Sequence, residues 1–227
     1  MTATPELLLQ YLVRIGVLLL CLPVHEYAHA KAAYAYGDQT AALQGRLSLN
    51  PLRHLDPIGA ISMVALGIGW AKPVPVNPEH FKNPRFDFAI VSLAGPFSNL
   101  LLAIACMVFY KLAGILLFFH SSWSLLQGAA LIFYYGALLN VMLAVFNLLP
   151  VPPLDGSRLL GVVLPLRIYR QVLRYEWIGM LVVVLLLLLG VLNGPLDFLT
   201  NALLQSLNFL TSFMELLFFL LRRVFYG

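Results

Sequence analysis

Long apolar stretches dominate this chain and restrict it to folds that place most of the backbone in lipid. Five of them can form helices that cross a bilayer, which takes roughly 20 residues, and they cover residues 6–36, 86–112, 125–148, 177–192 and 199–221. Apolar residues make up 61% of the sequence and charged residues 11%, well below the roughly 25% of soluble proteins. The sequence therefore predicts an all-α, multi-pass membrane protein with about five transmembrane helices.

A sixth apolar stretch, residues 58–70, is too short to cross the membrane. A helix of these 13 residues rises about 20 Å, whereas the hydrocarbon core is about 30 Å thick. We therefore expect a re-entrant segment that returns to the side it came from. Under that topology 12 of the 14 Lys and Arg residues share one face, and only Arg14 and Lys111 do not. The positive-inside rule identifies this face as cytoplasmic, and we expect the cell membrane to be the location.

An HExxH motif lies at the cytoplasmic end of the first helix, where residues 25–29 read His-Glu-Tyr-Ala-His. His25 and His29 are one helical turn apart, so both imidazoles can hold the same Zn²⁺ ion. Glu26 lies beside that ion and can act as the general base of a peptidase. Two histidines that only cap or pack a helix are the alternative, but apolar spans rarely carry a glutamate without a function. The motif predicts one zinc ion per chain.

The zinc site needs a further protein ligand, because catalytic zinc usually has three and keeps one open position. The other histidines, His54, His80 and His120, lie in or beside loops, and Asp155 follows three prolines at the end of a span. A carboxylate this close to a span is costly unless it meets a cation, so Asp155 is the expected third ligand. His54 is the reserve ligand. An ordinary helix N-cap is the alternative role for Asp155.

Two polar segments between the apolar stretches look extended rather than helical. Residues 45–51 alternate apolar and polar side chains, and residues 70–78 contain three prolines. Non-helical backbone near membrane depth is tolerated where it is buried or lines a wet cavity, so we expect a small β or extended element near the active site. Such an edge could pair with an unwound substrate by strand addition. An ordinary surface loop is the alternative.

These motifs resemble those of the site-2 proteases, a family of intramembrane zinc metallopeptidases. The HExxH resembles the family's first motif, and the pattern Asn-x-x-Pro-x-Pro-x-Leu-Asp-Gly over Asn147–Gly156 resembles its second. Residues Gly95–Asn99 resemble a Gly- and Asn-containing stretch on the intervening helix. The resemblance implies that Asp155 is the third zinc ligand and that Asn147 stabilises the oxyanion or the substrate carbonyl. It also suggests Asn99 as a substrate-binding residue.

The resemblance also indicates a minimal form of the family. Many members carry PDZ or CBS domains, and no stretch of about 80 hydrophilic residues is present to form one. We expect residues 1–175 to form the membrane-embedded metallopeptidase core and residues 176–227 a C-terminal helical hairpin of the same membrane domain. The expected partners are a transmembrane protein or peptide substrate and the lipid bilayer. Nucleic acid is not expected, because the basic residues are scattered through short loops.

Two other functional classes are alternatives to the peptidase. A transporter could relay an ion through intramembrane His and Asp, but the sequence shows no inverted repeat and gives Glu26 no transport role. A catalytically inactive protein that only binds membrane segments would be expected to lack the glutamate or the aspartate. The three expected zinc ligands, His25, His29 and Asp155, and the expected base, Glu26, are all present. Hydrolysis of peptide bonds in or near transmembrane segments is therefore the favoured function.

Overall fold

The computed structural model describes residues 11–12, 15–66, 69–119 and 124–226, and most of these residues are helical. The expected start of the first helix near Glu6, and also Arg14 and His120, lie outside this described part. The helices are α1 Leu22–Ala35, α2 Thr40–Leu43, α3 Pro57–Leu66, α4 Pro84–Phe119, α5 Ser124–Asn147, α6 Gly156–Val163, α7 Leu166–Arg174, α8 Glu176–Leu188, α9 Asn193–Leu210 and α10 Phe213–Tyr226.

Helix α1 carries the HExxH motif and is preceded directly by a π-helical turn, Val17–Cys21. Pro23 lacks the N–H that would bond to the carbonyl four residues earlier, and its ring crowds that carbonyl. A wider π turn relieves the crowding, so the distortion that Pro23 causes takes this form. Ala30 and Ala33 of α1 are fully buried, and side chains this small let α1 lie close to α4.

Helices α4 and α5 form the antiparallel centre of the molecule, with rings of Phe109 and Phe133 stacked between them. Ala103 of α4 and Val141 of α5 are fully buried and pack with Leu207 of α9, which places α9 against this pair. Other large apolar side chains, such as Phe209 at 78% exposure, face outward. An outward apolar surface of this kind suits contact with lipid.

Only part of the predicted set of spans is matched. Two helices in the described part, Pro84–Phe119 and Leu125–Asn147, are long and apolar enough to cross a membrane. The count rises to four if α7 with α8, bent by 64°, and α9 with α10, bent by 42°, each form one span. The expected straight span over 199–221 is broken at residues 211–212, and the expected span over 177–192 ends as a helix at Leu188.

The short apolar stretch after residue 56 has the geometry of the predicted re-entrant segment. Helix α3 leaves from Pro57, and the chain returns so that Leu55 and Ala71 form an antiparallel bridge. Lys72 N donates to His54 O at 2.8 Å, and a Cβ on Gly59 would lie 2.2 Å from Trp70 O. The two ends of the segment therefore lie together, which a full crossing would not allow.

The small β element takes a simpler form than expected. The described residues contain this single bridge and no strand: residues 46–50 are irregular, and residues 72–77 are an extended segment without a ladder. Pro73, Pro75 and Pro78 lack the N–H groups that a ladder needs. We refer to residues 72–77 as the extended segment.

Candidate metal centre

The imidazoles of His25 and His29 converge on one point. They lie one turn apart on α1, their Nε2 atoms are 3.0 Å apart, and both side chains are buried against α4. Side chains four residues apart on a helix lie on the same face, so the backbone of α1 alone is sufficient to bring the two rings together.

Asp155 completes the group from the start of α6. Its Oδ2 atom lies 3.1 Å from Nε2 of His25 and 3.3 Å from Nε2 of His29. Asp155 occupies the N-cap position of α6 but its side chain makes no capping hydrogen bond, so the alternative role as an ordinary cap does not apply. Gly156 follows it, and a Cβ there would lie 2.1 Å from Leu148 O, so only glycine lets the loop pack on the end of α5.

The donor set fits a tetrahedral metal ion. The ligand atoms of His25, His29 and Asp155 all lie within 4.8 Å of one another, and Oδ2 of Asp155 is buried with no hydrogen-bond partner in the described structure. Ligands about 2.0–2.1 Å from a tetrahedral zinc ion lie roughly 3.3 Å apart. The observed separations of 3.0, 3.1 and 3.3 Å agree with this value. Two imidazoles and one carboxylate are a common catalytic zinc donor set.

The outer nitrogen of each imidazole is held by α4. Nδ1 of His29 donates to Val91 O at 2.8 Å, which leaves Nε2 unprotonated and free to bind a metal. The side-chain amide of Asn99, which is fully buried, lies 3.2 Å from Nδ1 of His25. The amide orientation that satisfies both groups lets Nδ1–H of His25 donate to Oδ1 of Asn99. The same tautomer then results in both ligands.

Gly95 on α4 forms the wall behind the metal position. A Cβ on this residue would lie 2.3 Å from Nε2 of His29 and 2.6 Å from Nε2 of His25. The resemblance to the site-2 proteases includes the stretch that begins at Gly95, but it implies no role for the glycine itself. The sequence does mark this position, because Gly95 directly precedes Pro96 inside a long apolar helix. Glycine and proline are each unfavourable in a helix interior, so their presence indicates a special packing requirement.

Glu26 lies between the metal ligands and the extended segment. Its Oε2 accepts a hydrogen bond from Val74 N at 3.2 Å. Arg46, which is buried, donates from Nη2 to Lys72 O in the same segment. Burial lowers the pKa of Arg46, and the nearby negative charge of Glu26 opposes this effect. The general-base candidate thus faces non-helical backbone.

Asp38 fixes the far end of the extended segment. This buried carboxylate accepts hydrogen bonds from Thr40 N at 3.0 Å, from Asn77 N at 2.7 Å and from Nδ1 of His80 at 2.8 Å. Burial alone would raise the pKa of Asp38, but the hydrogen bonds from Thr40, His80 and Asn77 lower it. The sequence interpretation missed this residue, whose signal was an aspartate directly after the glycine that ends α1.

The remaining predicted residues lie apart from the three ligands or at the end of α5. His54 is fully buried and donates from Nε2 to Ser48 O at 2.6 Å, so the reserve ligand is engaged elsewhere. His80 pairs with Asp38. Asn147 donates from Nδ2 to Leu143 O at 3.0 Å in the last turn of α5. The structure therefore brings together His25, His29 and Asp155, with Asn99 behind them.

Comparison with known proteins points to the same chemistry. The model of "Peptidase family M50" matches residues 108–190, which include Asp155. "Putative zinc metalloprotease YwhC" of Bacillus subtilis (strain 168) is 42% identical over 185 residues, which cover 80% of this chain and 82% of that protein. "Putative zinc metalloprotease Rip2" of Mycolicibacterium smegmatis is 32% identical over 184 residues, or 77% of this chain and 66% of Rip2.

The Rip2 protein of Mycobacterium tuberculosis (strain H37Rv) is also 32% identical, over 182 residues that cover 78% of this chain and 66% of that protein. No solved structure matches the chain. The group of two buried histidines and one partly buried aspartate agrees with the names of these relatives. The chain belongs to peptidase family M50, the site-2 protease family of intramembrane zinc metalloproteases.

Proposed function

We propose that this protein hydrolyses peptide bonds in or near the transmembrane segments of membrane-protein substrates. His25, His29 and Asp155 hold one zinc ion, and Glu26 is the general base. The observation that carries the proposal is the convergence of three ligand atoms at 3.0–3.3 Å within an apolar helical protein. Zinc held there supplies a Lewis acid that makes water nucleophilic near neutral pH and polarises the scissile carbonyl.

The protein groups have separate tasks in the reaction. Glu26 accepts a proton from the attacking water while the water oxygen bonds to the carbonyl carbon. Glu26 then gives that proton to the amine nitrogen as the C–N bond breaks. One carboxylate oxygen of Glu26 accepts from Val74 N, so the other is available for the water. Val91 and Asn99 keep the ligating nitrogens unprotonated by engaging the outer nitrogens of the two imidazoles.

Two asparagines have assigned roles beyond the metal ligands. One amide N–H of Asn147 donates to Leu143 O. The second N–H can donate to the oxyanion that develops on the scissile carbonyl. The predicted substrate contact of Asn99 stays a prediction, whereas its 3.2 Å contact with His25 supports a role in orienting that ligand.

Substrate helices must unwind before they are cut, because their carbonyls are otherwise held in hydrogen bonds within the helix. The extended segment passes beside Glu26, and its remaining carbonyl groups can accept hydrogen bonds from an unwound substrate placed along it, a one-sided form of strand addition. Gly and other poor helix formers near the cleavage point lower the cost of unwinding by about 1 kcal/mol each. We expect such residues to favour cleavage.

We also propose the topology that the distribution of basic residues supports. Five membrane-spanning units and the re-entrant segment around α3 place the metal centre toward the cytoplasmic face of the cell membrane. Residues 1–175 act as the metallopeptidase core, and residues 176–227 form a hairpin whose second arm, α9 and α10, is bent and packs on α4 and α5 through α9.

The proposal is tested with the purified protein in lipid nanodiscs and a synthetic single-span peptide that contains a central Gly pair. The Glu26→Gln variant should keep zinc, measured by elemental analysis, and lose turnover by at least ~100-fold. Glu79→Gln is the matched control, because Glu79 is exposed and lies outside the metal centre. Cleavage by Glu26→Gln at the wild-type rate would refute the assignment of the base. A zinc-loaded wild type that binds the peptide without cutting it would instead indicate an inactive binder.

A further inference from the structure

Helix α7, residues Leu166–Arg174, is divided into one basic face and one apolar face. At about 100° per residue, Arg167, Arg170 and Arg174 fall within an arc of roughly 60°. All three arginines are exposed, and within the described part of the chain none of them has an ion-pair partner. Helix α7 itself contains no acidic residue. Three unpaired guanidinium groups therefore point away from the protein in one direction.

The opposite face of α7 is partly seated on the protein and partly open. Tyr169 is buried, and its ring packs on Gly161 of α6, where a Cβ would lie 2.8 Å from Cζ of the ring. Ile168 and Leu166 remain about half exposed, and Val163 at the end of α6 is 81% exposed. Because the protein covers only part of these apolar side chains, another apolar medium or surface is expected to cover the rest.

The bend that follows α7 indicates where that environment lies. Helix α8 is almost wholly apolar, and α7 departs from its direction by 64°. Tyr175 and Trp177 stand at the bend with 54% and 64% of their surfaces exposed. Exposed Tyr and Trp at the end of an apolar helix are typical of the headgroup level of a bilayer. With α8 directed into the lipid, α7 lies along the surface with its apolar face toward the acyl chains.

We propose that the basic face of α7 is a binding surface for anionic phospholipid headgroups. Guanidinium groups match phosphate oxygens in geometry as well as in charge, and arginines on one helix face can engage neighbouring headgroups at the same time. The apolar side chains on the other face favour a bilayer over a soluble acidic partner, because a soluble partner would leave them exposed to water. The surface is separate from the metal centre, and its occupancy is measurable without any peptidase activity.

The test reads the lipids that surround Trp177. A form with Trp70→Phe and Trp123→Phe leaves Trp177 as the only indole, and it is placed in nanodiscs of phosphatidylcholine and phosphatidylglycerol. Either lipid carries brominated acyl chains, which quench a nearby indole. We expect quenching to show at least about a fivefold preference for phosphatidylglycerol at low salt, and the preference should fall as salt rises.

Charge substitutions locate the preference. Changing the three arginines of α7 to Gln should remove it, whereas changing them to Lys should keep most of it. The matched control changes three other exposed cations to Gln: Lys31, Lys82 and Arg223. This control should leave the signal at Trp177 unchanged. Absence of a preference in the wild type, its survival in the α7 Gln variant, or its equal loss in the control would each overturn the proposal. So would binding of an acidic soluble peptide to α7 in nanodiscs of phosphatidylcholine alone.

Discussion

Replacement of Gly95 by Ala is the sharpest test of the metal centre, because it adds one methyl group to the wall behind the ligands. The new Cβ would lie 2.3 Å from Nε2 of His29 and 2.6 Å from Nε2 of His25, whereas ordinary contacts begin at 3.4 Å. At least one imidazole must therefore move by about 1 Å. Zinc–ligand distances tolerate about 0.2 Å, so the displaced histidine leaves the coordination shell.

The size of the effect follows from this displacement. Loss of an outer-shell contact costs roughly 10–100-fold in metal affinity, and loss of a ligand costs more, so we expect zinc to bind at least ~100-fold more weakly. Turnover should fall by a similar factor, since a 1 Å misplacement at a reacting centre costs about 100-fold. Competition with a fluorescent chelator measures the affinity, and the synthetic single-span peptide measures turnover.

Gly114→Ala provides the control on the same helix, because no atom lies within 4 Å of a Cβ at that position. Ala is more favourable than Gly in a helix by about 1 kcal/mol, so this variant should be slightly more stable than the wild type and fully active. Zinc-free Gly95→Ala should still melt in a cooperative transition, with its stability lowered only by the overpacking cost of about 1–3 kcal/mol, which separates metal loss from misfolding. Wild-type zinc affinity in Gly95→Ala would refute the position assigned to the metal.

Three further predictions concern residues around the site. Asp155→Ala should bind much less than one zinc ion per chain in elemental analysis, because two histidines alone make a poor site; full occupancy would exclude Asp155 as a ligand. Asn147→Leu should cost ~2.7–4 kcal/mol of transition-state stabilisation, mainly in kcat and with zinc retained, whereas unchanged turnover per folded molecule would assign Asn147 to the helix end. Asp38→Asn should lower stability at pH 7 by about 2 kcal/mol through weaker charge-assisted hydrogen bonds. Since the pKa of Asp38 is lowered from 3.8 on folding, its contribution is complete above that pH and declines as the pH falls below it. Melting curves of variant and wild type should therefore converge in acid, and a constant difference would contradict the ionised carboxylate.

The convergence of the three candidate metal ligands could be predicted from sequence because its requirements are local. The spacing of His25 and His29 is a property of one helical turn, and a carboxylate at Asp155 needs a cation wherever the loop places it. The close approach of the two ends of residues 58–70 agrees with the prediction made from their length and from the distribution of basic residues, since 13 residues cannot reach across the bilayer.

Helix breaks and supporting contacts were harder to predict, since they depend on packing between distant residues. The stretch around Thr211 is apolar enough for a straight span, yet α9 ends there, and Oγ1 of Thr211 donates to Leu207 O. No proline or glycine marks this break. The roles of Asp38 and Gly95 depend on their contacts with residues far away in the sequence, namely Asn77 for Asp38 and the two histidines for Gly95. Hydropathy carries no information about such contacts.

The position of Asp155 along the chain has a consequence for biosynthesis. Two ligands enter the membrane with the first helix, but the third follows the end of α5, after most of the core has been made. A nascent chain that contains only the HExxH helix therefore has two of three ligands and cannot hold zinc tightly. Zinc would be held tightly only once α6 has docked, and it would then stabilise the folded chain by linking segments more than a hundred residues apart. With the proposed ligand set, the enzyme becomes able to hydrolyse peptide bonds only after α6 has docked, so a half-inserted copy would not cut the membrane proteins being made beside it.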